Sequence, residues 1–235
     1  MRKKLLGLIF AVVLLGSISS SAGAAIIKLD YEEILYGVTV QRTIGNSTNS
    51  TTAGLFHFKV VSGGTFSVPY TNLYTFCIEP LEYVTTGSVD YEVKALKDAP
   101  SNVTGGMGDT KANLLRELYG TYFPVNTSNI APAKAAALQI ATWEIVRETG
   151  DTLNVYNGNV RFNTSSYATL AQDYLDYITE NQGTMRTDIM AAVKNGVQDA
   201  WIPVPEPSTL GLLGLGFVLV GTFACCRHRS RLGVF

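Results

Sequence analysis

The chain has 235 residues, 46% hydrophobic and 16% charged, with a net charge of −1, which is enough for one domain with a real core. Its two ends hold six of the eighteen Lys/Arg but one of the nineteen Asp/Glu, leaving residues 25–203 with twelve cations, eighteen acids and a net charge of −6. An acidic body without a basic cluster excludes nucleic acid and anionic membrane as expected partners.

The first residues read Arg2-Lys3-Lys4, an uncharged apolar run from Leu5 to Leu15, and then Ser17 to Ala25 with the small residues Ala22-Gly23-Ala24. That order predicts a secretory signal peptide over 1–24, because the apolar run is too short to span a bilayer. Residues 25–203 follow as an exported domain. Strands are expected at 34–41, 55–61, 73–78 and 89–95, where β-branched and aromatic residues concentrate. Between them the Asn/Ser/Thr-rich stretch Gly45–Gly54 reads as a solvated loop. Asn46, Asn49, Asn102, Asn126 and Asn163 each head an Asn-x-Ser/Thr sequon.

From Asp109 the spacing changes to helical, with helices expected over 110–119, 132–149, 167–179 and 185–197. The longest begins at Pro132, a residue suited to a first helical turn, and Gly150 is placed to end it. Strands first and helices later predict an α+β fold, a β-rich barrel or sandwich half followed by a helical subdomain.

Cys77 is the only cysteine of the exported domain, since Cys225 and Cys226 lie in the tail. An unpaired thiol in an oxidising compartment calls for a use. On a helical projection Lys134, Glu144, Arg147 and Glu148 share one arc of the long helix. Opposite them Ala135, Ala136, Gln139, Thr142, Trp143 and Val146 form an uncharged face with Gln139 near its centre. A glutamine there points inward, where its amide must find partners. One outcome is a core glutamine bonded to neighbouring backbone. The other joins the two anomalies: attack of the Cys77 sulfur on the Gln139 carbonyl, with ammonia leaving, gives an internal thioester. Glu79 and Glu82 follow Cys77 closely enough to move protons, or are merely solvated.

The last thirty residues carry Pro205-Glu206-Pro207, twenty uncharged residues and then Arg227, Arg229 and Arg231. The length predicts one transmembrane helix, and the arginines hold its end on the cytoplasmic side. Residues 204–235 resemble the PEP-CTERM sorting signal. The resemblance implies a Gram-negative host, an exosortase as processing partner, transient anchoring in the inner membrane, and a link to cell-surface, biofilm or exopolysaccharide assembly.

Phe76-Cys77 and Leu138-Gln139-Ile140-Ala141-Thr142-Trp143 together resemble the thioester domains of bacterial surface adhesins, matching at Phe76, Cys77, Gln139, Ala141 and Trp143 and differing at Leu138 and Thr142. The resemblance implies covalent capture of an amine-bearing partner by a Cys77–Gln139 thioester, for adhesion or matrix attachment. That is single-turnover binding and not enzymatic turnover. Two alternatives stand beside it. A cysteine hydrolase needs a histidine base, and His57 is the one histidine of the exported domain. A structural module associated with exopolysaccharide would use the twelve tyrosines and the polar loops without any thioester. No cofactor and no metal site are expected.

Overall fold

β1 (Ile26–Ile44) and β2 (Ser47–Val61) form one long antiparallel hairpin, paired from Lys28 opposite Val61 to Ile44 opposite Ser47. The computed structural model describes residues 24–123, 126–150 and 152–204. Gly45 turns the hairpin at φ 57°, the first-position glycine that a type II′ turn requires. The expected loop over Gly45–Gly54 is therefore largely strand. Its threonines and serines face strand partners in β1, and their polarity reflects the exposure of the hairpin tip rather than absence of structure.

Register shifts between Tyr31 and Glu33 and between Leu35 and Val38 bend β1. At the bend a Cβ on Gly54 would lie 2.9 Å from the Gly37 Cα, so the two backbones cross where only glycine fits. Before the bend β1 pairs with β4 (Ser88–Ala95); after it, Arg42–Ile44 pair with β5 (Val160–Phe162). The hairpin thus supplies both a barrel wall and an arm that leans on the helices.

The barrel has strand order β3-β2-β1-β4-β6-β7, with β3 at Asn72–Thr75, β6 at Ile189–Lys194 and β7 at Val197–Pro203. Its edges meet where Cys77 pairs with Ala200 and the Ile78 N–H donates to the Asp199 carbonyl at 3.0 Å. Ile27, Leu29, Phe56, Phe58 and Tyr91 fill the inner face. The helix expected over 185–197 is instead the β6–β7 hairpin. Asn195-Gly196 forms its two-residue turn, with Gly196 at φ 76° reversing the chain rather than ending a helix.

Three helices cover the outer face: α1 (Gly108–Tyr122), α2 (Pro132–Arg147) and α3 (Ser166–Glu180). Ser165 caps α3, its hydroxyl accepting from the Ala168 N–H at 3.1 Å. α1 runs past its expected end because Gly120 is a point of close approach, not a stop: a Cβ there would meet the Met185 carbonyl oxygen at 2.2 Å. α2 is buried on all sides from Ala135 to Val146, between the β1–β2 arm and the other two helices. Its expected charged arc is corrected accordingly. Glu144 and Glu148 are buried, because their carboxylates turn into the following loop and bind its N–H groups. Among the described residues no helix is long and apolar enough to cross a membrane. The expected C-terminal span and the signal peptide up to residue 23 lie outside the described residues.

Loops folded around buried carboxylates give stability a definite pH dependence. Glu117 accepts from the N–H groups of Gly183, Thr184 and Met185, and Glu148 from those of Thr149, Gly150 and Asn159. Burial alone would raise both carboxyls, but these donors outweigh it and hold them below the ordinary glutamate range. Glu144 and Asp199 go the other way. Burial raises them to about 7 and about 6, against one backbone donor for Glu144 and two for Asp199. The lowered pair stabilises the fold above the unfolded pKa, and that contribution is lost as pH falls through the folded value. The raised pair stabilises it below the unfolded pKa, and that is lost as pH rises from about 4 to about 7. The melting temperature should peak near pH 5 and fall by pH 8, at about 1.4 kcal/mol per unit of displacement. Glu144→Gln should flatten the alkaline limb in a thermal-melt series across pH; an unchanged limb would refute the assignment.

Candidate functional site

Cys77 lies two residues beyond β3, where the strand keeps its direction but loses a neighbour. Pairing of β2 with β3 ends at Phe56 opposite Thr75. The N–H and C=O of Cys77 face the side that β2 has left, since Ile78 serves the β7 side. Buried there without partners they would cost about 1–3 kcal/mol each. Gln139 of α2 fills the place. Its Oε1 accepts from the Cys77 N–H at 3.0 Å, and its Nε2 donates to the Cys77 carbonyl at 2.8 Å. Asn126 does the same on the opposite edge, accepting from the Tyr74 N–H at 2.6 Å and donating to the Asn72 carbonyl at 2.8 Å. Two side-chain amides thus complete a strand that backbone alone leaves ragged.

Of the five residues matched in the exported domain, the structure brings Cys77 and Gln139 into contact and sets Trp143 near the sulfur, while Phe76 and Ala141 are core residues. Cys77 and Gln139 are buried and in direct contact, 62 positions apart in the chain. Phe76 faces the helices, stacked on Tyr119 at 5.6 Å and edge-on to Phe123. Ala141 is buried in the core, and the Trp143 ring lies flat against Phe162 at 6.1 Å. The two departures have other work. Thr142 bonds the Tyr119 hydroxyl and the Leu138 carbonyl, and Leu138 is core. Pro205, Glu206, Pro207, Arg227, Arg229 and Arg231 lie outside the described residues.

The Cys77 thiol donates to the Glu79 carbonyl at 2.8 Å and accepts from the Glu79 N–H at 3.2 Å. Burial pushes it well above the ordinary thiol range, and the Glu79 and Asp199 carboxylates add to this. The hydrogen bond from the Glu79 backbone and the nearby Trp143 indole act against it. The indole N–H has no hydrogen-bond partner among the described residues, although it stands close enough to the sulfur to favour its charged form.

Glu79 is not solvated. Its carboxylate is fully buried, pairs with Arg147 at 2.6 Å, and accepts from Asn102 and from the N–H groups of Leu81 and Glu82. It therefore organises the strap from Glu79 to Gly87 that follows Cys77. Arg42, from the β1 arm, reaches the same strap by donating to the Pro80 carbonyl and stands 5.5 Å over the Trp143 ring. Sequence reasoning missed Arg42, Arg147 and Asn102. Val38, Val40 and Arg42 share one face by strand alternation, so an arginine in line with two valines was the available signal.

His57 stacks on Tyr74 at 4.8 Å, bonds Asn72 and faces Glu33, so both ring nitrogens have neighbours away from the thiol. Among the described residues no group of three His, Cys, Asp or Glu is placed to hold a metal.

Residues 203–229 match the family described as the PEP-CTERM protein-sorting motif. The motif implies an exported cell-surface protein of a Gram-negative bacterium, processed by exosortase. No curated protein and no solved structure matches the chain.

Proposed function

We propose that the exported domain captures an amine-bearing surface or matrix partner covalently, through a thioester between Cys77 and Gln139. One observation carries the reading: the Gln139 amide is held against Cys77 by two hydrogen bonds, with the Cys77 N–H on Oε1. That N–H is the donor a developing oxyanion needs, and both bonds hold the amide at the main chain of the residue whose sulfur would attack, which supports the proximity that the step requires. Thioester formation joins Sγ to the Gln139 acyl carbon and releases ammonia. An amine then attacks that carbon, the C–S bond breaks, and the nitrogen is left in an amide while the sulfur regains a proton. Each molecule reacts once, so this is binding chemistry rather than enzyme turnover.

A second reading is favoured by the same two bonds. An intact Gln139 amide completes the barrel seam with both its donor and its acceptor, which suits a non-covalent module associated with exopolysaccharide or biofilm matrix. Intact mass separates the two. The purified domain should fall short of its sequence mass by one ammonia, and methylamine should convert the deficit into a gain. Cys77→Ala and Gln139→Ala should each carry no deficit relative to their own sequence masses. Full mass in the parent, with Cys77 titratable after unfolding, rejects the thioester.

A further inference from the structure

Arg42 is buried, yet among the described residues no carboxylate lies within ion-pair distance of it. Its partners are neutral: the Pro80 carbonyl, the Asn49 Oδ1 at 3.2 Å and the face of Trp143, while its Nε has none. A buried cation without a counter-ion is costly and is ordinarily paired. Arg147, the other arginine of the site, has Glu79. The unpaired charge of Arg42 stands between the strap that follows Cys77 and the tryptophan one helical turn after Gln139.

We propose that Arg42 is the charge partner of the Cys77 sulfur, favouring its negative form when the thioester is opened by an amine. The proposal rests on the thioester reading. In the opening step the new C–N bond forms at the Gln139 acyl carbon and the C–S electron pair leaves on sulfur. The thiolate so formed is buried, and Glu79 of the strap and Asp199 of β7 both disfavour it. Tyr91 of β4 and Tyr119 of α1 face it as neutral phenols, raised by burial. Arg147 of α2 is engaged by Glu79, which leaves Arg42 as the cation free to answer the charge. Its own proton affinity, lowered by burial, is restored in part by Cys77, the largest of its charge neighbours.

Lysine keeps the charge but not the planar fork that grips Pro80 and Asn49; methionine keeps neither. Arg42→Lys and Arg42→Met are therefore compared with the parent in two measurements. One is the rate of opening by methylamine at a fixed pH; the other is the titration of thiolate ultraviolet absorbance in the opened protein. Arg42→Met should open about tenfold more slowly and titrate about one pH unit higher, while Arg42→Lys stays near the parent in both. Unshifted rate and titration in Arg42→Met overturn the proposal. So does an Arg42→Lys protein that falls as far as Arg42→Met, because the fork and not the charge then matters. If Arg42→Met does not fold, Arg42→Gln takes its place, with the same slower opening and raised titration expected and unshifted values overturning the proposal. A parent without the ammonia deficit sinks the thioester itself. The thiolate titration of the unlinked proteins then judges the charge pairing separately, a shift supporting it and no shift rejecting it.

Discussion

Replacing Gln139 with leucine should lower the unfolding free energy by about 2–5 kcal/mol, because the Cys77 N–H and C=O then stay buried without partners. The leucine side chain fits the volume but offers neither donor nor acceptor. Cys77→Ala should cost only about 1–2 kcal/mol in the unlinked protein. Its thiol bonds no group beyond the backbone of Glu79, two residues on. Urea midpoints at unchanged slope check the ordering. The two substitutions should part in stability and agree in mass, each erasing any ammonia deficit. A Gln139→Leu protein as stable as its parent would mean that the glutamine does not complete the seam.

Glu79→Ala should be equally severe, at about 3–5 kcal/mol, since removing one member of a buried ion pair leaves the other charged and unpaired. Arg147 loses its carboxylate, and the Leu81 and Glu82 N–H groups lose the acceptor that folds the strap. Cys77, about 1% exposed in the intact structure, should then react with an aromatic disulfide reagent under native conditions. Glu79→Gln should be milder, because an amide still accepts from the strap. A Glu79→Ala protein that melts with its parent and keeps its thiol protected would show that the strap holds without the glutamate.

The α+β class with its sheet-rich first half, the Pro132 start of the long helix and the meeting of Cys77 with Gln139 were legible because each depends on local pattern or on a single anomalous residue. What escaped depends on pairing across the chain. Met190-Ala191-Ala192-Val193 suits helix or strand alone, and β4 on one side with β7 on the other makes it strand. The Asn195-Gly196 pair is a readable hairpin signal, although its glycine taken alone equally suits a helix stop. Glu79, Glu144 and Glu148 looked like solvated charges. Their burial depends on loops that wrap backbone N–H groups around them, which no periodicity records. The expected outward arc of the long helix failed for the same reason. Once α1, α3 and the β1–β2 arm enclose it, no side of α2 between Ala135 and Val146 is left for water.

β7 ends at Pro203, where the sorting motif begins. Tension transmitted through the tail would therefore pull β7 along its own length. On one flank β7 is laced to β6 from Ile189 opposite Pro203 to Lys194 opposite Val197, and on the other it meets Cys77 and Ile78. Antiparallel bonds lie across the strand axis, so such a load shears them together instead of unzipping them one by one. Such a load would fall on the closure of the barrel, where Gln139 braces the strand that carries Cys77.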